Sequence, residues 1–238
     1  GCGQESSRAW NNAGTGHAGN CELNYTPRRA DGSIDISKAL DVNTEFDISR
    51  QLWAHWIRQG RLTDPGTFIQ PCPHISLVWG AEDVAFLRAR FDALSTHHCF
   101  DGMEYSEDPA VIAQWAPLTM AERDDTIPVA ATRILSGTDV NYGALTAALV
   151  QSLQTSDTFQ VFYRHKVTGL VRTADGDWAV TAKDMETGKQ TTTINRCVLI
   201  VAGASSLTLL PNSGLPDRGD SSCSPIVGPR LQCHAPHI

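Results

Sequence analysis

No two cysteines in this chain stand at C-x-x-C spacing. The seven that are present, Cys2, Cys21, Cys72, Cys99, Cys197, Cys223 and Cys233, are odd in number and scattered. That pattern signals neither a zinc ribbon nor a disulfide framework, and it predicts reduced thiols in a cytoplasmic setting. His97-His98-Cys99 and Cys233-His234-x-x-His237 lack companion ligands at metal-binding spacing, so no metal is expected. Long apolar runs are missing as well. Nothing approaches the ~20 residues needed to cross a bilayer, and the first residues do not have the pattern of a signal peptide. Peripheral attachment to a membrane surface remains compatible with this. Positive charge is also scarce: 19 Lys and Arg face 26 Asp and Glu, a net charge of -7. That excludes nucleic acid as a general partner, because phosphate binding needs a basic face. A small anionic substrate would need a local cluster of Arg and His.

What is present is an ordinary globular composition. The 238 residues are 41% hydrophobic and 19% charged, enough for one large or two small domains. Apolar residues at Leu40, Phe46, Trp53, Trp56 and Ile57 predict a helix over Ser37–Gln59 that stops at Gly60. His74–Trp79 reads as a strand. From Ala81 the stripe Val84, Leu87, Phe91, Leu94, with Glu82 and Asp83 in the first turn, predicts an amphipathic helix. Pro109 suits the first turn of a short helix ending before Pro117. Pro128–Tyr142 reads as a strand followed by a loop. Asp139 or Asn141 is placed to cap the next helix, whose Leu145, Leu149 and Leu153 share a face.

The second half predicts strands. Phe159–His165, Lys166–Thr173, Asp177–Asp184 and Thr191–Ile194 are separated by turns at Ala174–Gly176 and Glu186–Gly188. Cys197–Gly203 is continuously apolar, the mark of a strand buried on both faces, and SLTLL after it reads as a helix start. Beyond Gly214 periodicity is lost. The composition favours no structure there, and the tail beyond Asp217 is expected to be divergent or out of frame.

The most polar stretch is Gln4–Pro27. Ser6, Ser7, Asn11, Asn12 and Thr15 alternate with Gly14, Gly16 and Gly19. Glycine tolerates positive φ and lets a ligand approach the backbone closely; the hydroxyls and amides offer hydrogen bonds. A turn-rich surface loop is the other reading of the same composition.

Those residues also carry a resemblance. QESS, WNNAGTGH and CELNYTP, then ADGSIDISKA, PHISLVWG, VAFLRARFDAL, GMEYSEDPA, QWAPL, VAATR, GTDVNYGALT, CVLIVAG and LLPNSGLP run in order from Gln4 to about Pro216. Together they resemble the malate:quinone oxidoreductases. The resemblance implies an α/β (mixed) fold. It would be part of a glutathione-reductase-like FAD-binding architecture, with antiparallel substrate-domain strands and a small β-meander. The implied division is 1–35 and 141–216 in the FAD-binding part, 36–140 mainly in the substrate domain and 217–238 as the tail. The implied activity is oxidation of (S)-malate to oxaloacetate in the tricarboxylic acid cycle, with FAD as hydride acceptor and a membrane quinone as final oxidant. It would take place in the cytoplasm at the inner face of the bacterial plasma membrane. The strand and GxGxxG turn with which the family opens do not precede Gln4, and Val201–Ser205 replaces a glycine-rich turn. The chain therefore reads as a fragment. Dehydrogenation of another 2-hydroxy acid, or a non-catalytic remnant that cannot hold FAD, are the alternatives.

By the same resemblance Ser6, Ser7, Asn12, Ala13, Gly14, Thr15 and Gly16 face the flavin, with Val167, Ala202 and Gly203 as further cofactor contacts. His17 is either a proton acceptor or flavin contact, or a packing histidine. His74 is either a substrate-side residue or a satisfied core histidine. Arg133, isolated on a small-residue strand, is either a bidentate clamp for a malate carboxylate or half of an internal ion pair. Arg164, His165 and Lys166 read as adenine-side or simply solvated. The tryptophans at Trp53, Trp56, Trp79 and Trp115 read as core or interface.

Overall fold

The computed structural model describes residues 2–3, 6–202 and 209, and the chain divides into two compact units, Gly1–Gln160 and Val161–Ile238. It is a mixed α/β chain, and the sheets among the described residues are all antiparallel.

In the first unit the longest element is helix α1, Ser37–Arg58. It buries Ala39, Val42 and Phe46, while its later aromatics stack edge-on. Phe46 meets Trp53 at 6.1 Å and Trp53 meets Phe68 at 5.8 Å between ring centroids. Leu62, Phe68 and Leu145 close that cluster; burying each such side chain is worth about 1.5–3 kcal/mol. Strands β1 (Ile69–Pro71) and β2 (His74–Trp79) follow, then α2 (Ala81–Leu94), β3 (Glu104–Ser106), α3 (Pro109–Trp115) and α4 (Pro117–Met120). Pro109 enters α3 behind Asp108, whose carboxylate accepts the Ala110 N–H at 2.8 Å.

Strand β4 (Val129–Ile134) lies between β2 and β3. Its small side chains let helices cover both faces. Ala130 packs with Val78 and Leu87 of α2, and Val129 and Ala131 pack with Ile112 of α3. Thr138–Val140, expected as loop, is a strand, β5, paired with β1. Asn141, and not Asp139, caps the last helix of this unit, α5 (Tyr142–Leu153). Of its three in-line leucines only Leu145 is buried, and Leu153 is exposed.

The second unit is a meander of β6 (His165–Arg172), β7 (Trp178–Asp184) and β8 (Gln190–Asn195). The turns between them place Gly176 and Gly188 at φ +86° and +73°, conformations that glycine adopts without strain. Two expectations need correction here. Phe159–Arg164 is not strand: Arg164 takes φ +58° and the ladder begins only at His165. Cys197–Ala202 is neither strand nor buried, and Leu199 and Val201 are 85% and 94% exposed. A run of this kind is buried only between two neighbouring strands, and none of the described strands pairs with it. Gly203, nearly all of the expected SLTLL helix and the tail beyond Asp217 lie outside the described residues.

Candidate functional site

The polar N-terminal stretch docks along β5 almost as an extra strand. Val140 N–H donates to Gly14 O (2.6 Å) and Gly16 N–H to Thr138 O (2.8 Å), around an antiparallel bridge between Thr15 and Asp139. Two of its glycines are needed for different reasons. Gly14 sits at φ +72°, with its N–H on the Asn12 side-chain oxygen at 2.9 Å. Gly16 is not in a left-handed conformation, but a Cβ there would collide with Thr138 Oγ1 and stand 2.7 Å from Phe46 Cζ. Gly14 to Gly19 also spells G-x-G-x-x-G. Only a three-residue 3-10 turn, Leu23–Tyr25, follows it before α1, so no α-helix N-terminus stands directly behind it to receive a pyrophosphate.

Between this loop and the end of β5 lies a cavity of about 270 Å³. Ser7, Asn12, Ala13 and Gly14 line one wall, and Asp139–Tyr142 line the other. The Thr146 hydroxyl, on α5, reaches Tyr142 O at 2.7 Å and Ser7 Oγ at 3.2 Å, fixing the far side. Of the residues the resemblance assigns to flavin, four come together here. Thr15 and Gly16 are spent on the pairing with β5, and Ser6 is exposed outside the cavity.

Further along, His17 Nδ1 meets Glu22 Oε1 at 3.0 Å. Burial alone would raise the Glu22 carboxyl. The His17 contact and the N–H groups of Glu22 and Cys21 outweigh it and hold the pKa below the usual carboxylate value. The Cys21 thiol is pushed up to about 11 by burial and by neighbouring Glu22. The turn carrying this pair is held from below. Ser76 of β2 donates to Cys21 O at 3.0 Å. Arg90 of α2, fully buried, donates to Thr26 Oγ1 (3.0 Å) and to the carbonyls of Gly19 and Asn20 (both 3.1 Å). Desolvation lowers its pKa to about 10 against the pull of Cys21 and Glu22. Sequence reasoning missed Arg90. The available signal was an arginine between Leu87 and Leu94 on an apolar stripe, where a lone charge must find polar partners.

His74 is buried on the same face of β2 as Ser76 and Val78. Its Nε2 is 3.1 Å from Thr138 O, and its ring packs so tightly on Gly137 that a Cβ there would lie 2.5 Å from Cδ2. Arg133 stands opposite Glu104 in the β3–β4 register and grips it with two nitrogens at 2.8–3.1 Å. Its guanidinium also covers the Trp115 ring at 4.7 Å. The internal ion pair, one of the two readings open for Arg133, is therefore formed. Val167 of β6 and Ala202 are exposed and belong to the second unit. Arg164 pairs with Glu186. Of the tryptophans, Trp53, Trp56 and Trp115 pack in the core, whereas Trp79 is exposed. His97, His98 and Cys99 bring their ligand atoms within 4.8 Å of one another, but His97 Nδ1 already accepts the Cys99 N–H at 3.3 Å.

Comparison with known proteins bears on the whole chain. A family model described as malate:quinone oxidoreductase (Mqo) matches residues 1–238. A protein of Gluconobacter oxydans named "Probable malate:quinone oxidoreductase" is 65% identical over 237 residues, covering 100% of this chain and 47% of the relative. One of the same name from Rhodopseudomonas palustris (strain TIE-1) is 56% identical over 237 residues, covering 100% and 48%. The chain thus spans about half the length of the curated relatives it matches. A crystal structure of L-proline dehydrogenase from P. horikoshii superposes on 71% of this chain and 40% of its own, with TM-score 0.49 and 13% identity. The match along every residue places the chain in a family of oxidoreductases: it belongs to the malate:quinone oxidoreductases.

Proposed function

We propose that this chain carries part of the machinery for FAD-dependent oxidation of malate to oxaloacetate, with a membrane quinone as the electron acceptor. The observation that carries the reading is the cavity built from Ser7, Asn12, Ala13 and Gly14 against Asp139–Tyr142. Its wall combines hydroxyl, amide and glycine backbone with the apolar Ala9, Ala13 and Val140, the Asp139 carboxylate and Tyr142, a mixture that suits one edge of a flavin ring, which is part apolar and part hydrogen-bonding. At about 270 Å³ it falls below the roughly 300–1,000 Å³ of pockets that enclose a drug-sized ligand, so it fits one edge of the cofactor and not the whole dinucleotide. FAD, when bound, supplies a hydride acceptor for malate C2.

The remaining work falls to side chains of this chain. A hydroxyl proton must leave as the hydride does, and His17 is the proton acceptor we assign. Glu22 on Nδ1 fixes its tautomer and orients the ring, leaving Nε2 for the substrate. His74, bonded to Thr138 O and packed on Gly137, supports β5 beneath the loop. The family's role in the tricarboxylic acid cycle and a position at the inner face of the bacterial plasma membrane complete the proposal. Contact with the quinone is taken as peripheral in this reading; no helix among the described residues is long and apolar enough to cross a membrane.

A second reading is favoured by the exposed run at Leu199–Val201: by themselves these 238 residues hold the flavin too weakly for turnover. Titrating the chain with FAD separates the two. Flavin absorbance retained through gel filtration, with a rise in melting temperature that Gly14→Val abolishes, supports the first. Colourless protein with no shift removes it.

A further inference from the structure

His97-His98-Cys99 forms the turn that follows α2, and the fold supplies the companion group that the bare sequence pattern lacks. Phe100, 1% exposed, anchors the turn in the core with Leu94 and Met103. The His97 and His98 rings stack at 4.4 Å between centroids, and His98 Nε2 lies 3.7 Å from Cys99 Sγ. A tetrahedral zinc, with sulfur at about 2.3 Å and nitrogen at about 2.0–2.1 Å, holds such a pair about 3.6 Å apart. The ligand atoms of all three residues lie within 4.8 Å of one another, so no pair has to close by more than about 1.5 Å. His97 Nδ1 accepts the Cys99 N–H at 3.3 Å, longer than the usual range of roughly 2.7–3.2 Å, so little is lost if that ring turns to a metal.

His98 and Cys99 also line a second cavity, of about 290 Å³, whose α1 wall carries Asn43, Asp47 and Arg50. Asp47 and Asp101 both set negative charge against Cys99, a field that favours a cation. Gln51 donates to Asp47 Oδ2 at 2.7 Å, which leaves Oδ1 for a ligand bond. Asn20 lines the same cavity, is 4% exposed, and its buried Oδ1 has no hydrogen-bond partner; a water carried in on a metal is a donor for it. Arg50 opposes a cation here, and its side chain is exposed. A small anion would use Arg50 and leave the thiol and the two imidazoles idle. We infer that His97, His98 and Cys99, with Asp47 of α1 as the fourth ligand, form a site for a thiophilic divalent cation of the zinc type. Thiolate and imidazole donors select zinc over magnesium or calcium, which take oxygen ligands. Binding releases the thiol proton to solvent as the Cys99 sulfur bonds the metal, and it ties the end of α2 to α1. The site shares no residue with the cavity proposed for the flavin edge, so neither reading depends on the other.

The test titrates the reduced, metal-free 238-residue chain with Co²⁺ as a spectroscopic stand-in for Zn²⁺. Saturable binding is expected to bring up thiolate-to-cobalt charge-transfer absorption and the intense visible bands of tetrahedral coordination, and Zn²⁺ is expected to bleach both. Cys99→Ser should abolish the charge-transfer band. Losing even an outer-shell partner of a metal costs about 10–100-fold in affinity, so loss of a ligand in His98→Gln should weaken Co²⁺ at least ~10-fold. Asp47→Asn should weaken it as well, whereas Arg50→Gln should tighten it, the opposite of what an anion site would show. Cys233→Ser is the control, because Cys233, His234 and His237 are the other Cys–His run in the sequence, and it should leave the band unchanged. His98 is exposed, so His98→Gln keeps the fold even if Cys99→Ser disturbs it, and circular dichroism verifies each variant. A parent without the charge-transfer band, a band that survives Cys99→Ser or vanishes with Cys233→Ser, parent affinity in His98→Gln or Asp47→Asn, or weaker binding in Arg50→Gln overturns the inference.

Discussion

Arg90→Met is the substitution that most directly probes how the site is held. The guanidinium makes three hydrogen bonds, to Thr26 Oγ1, Gly19 O and Asn20 O. Bonds to a charged group are worth roughly 1.5–3 kcal/mol each, so ~5–9 kcal/mol is lost in the gross. Opposing this, methionine fills much of the volume and relieves the cost of burying a cation with no carboxylate among its hydrogen-bond partners. That cost is visible in the lowering of the Arg90 pKa to about 10. Replacement of buried ions by apolar residues can be neutral or better when partners are replaced together. Here the three acceptors stay behind and unpaired, which leaves a net loss of ~2–4 kcal/mol. For a unit of this size that corresponds to a melting temperature lower by roughly 5–15 °C. Differential scanning calorimetry at pH 7 measures it, and Arg90→Lys, which keeps charge but not the fork, should fall between. NMR shifts of the His17 ring give a second readout, since they move only if the turn moves. An Arg90→Met protein that melts at or above the parent temperature refutes the reasoning, because it would show that the turn holds itself.

Two further outcomes follow from the same segment. Gly16→Ala should cost about 1–3 kcal/mol by overpacking against Phe46 and Thr138, measured as a lower urea midpoint at unchanged slope. A midpoint equal to the parent's would mean that the loop is not docked on β5. The His17–Glu22 contact should show in the acid limb of the stability curve. Glu22 has its folded pKa below its ordinary value, so near that value the unfolded chain binds more protons. The stabilisation is complete above about pH 4.3–4.5 and drains away as pH falls through the folded value. Glu22→Gln should flatten that acid limb, below the ordinary carboxylate value, in thermal melts; an identical pH profile would disprove the coupling.

How much of this was legible in the sequence depended on how far each residue's partner lay along the chain. Helices α1, α2 and α3 and strand β2 announced themselves through local periodicity and through caps such as Asp108 before Pro109. Strand β5 did not: three residues with one buried position carry no period, and its partners are Thr15 and the distant β1. Arg133 was readable as a residue in need of an anion. That its anion is Glu104, 29 positions away, is set by the β3–β4 register. The grouping of Ser7, Asn12, Ala13 and Gly14 followed from composition and resemblance, whereas their opposite wall at Asp139–Tyr142 came only from the docking on β5. Cys197–Ala202 failed for the opposite reason. Its hydrophobicity states what environment it would suit, not whether neighbouring strands are there to supply it.

That last segment has a practical consequence. Cys197-Val198-Leu199-Ile200-Val201-Ala202 holds six consecutive residues without charge, proline or glycine, the composition of segments that stack into cross-β ribbons. Its flank carries only one charged gatekeeper among the described residues, Arg196. The chain should self-associate through that hexapeptide as concentration rises, so its solubility will be governed by those six residues.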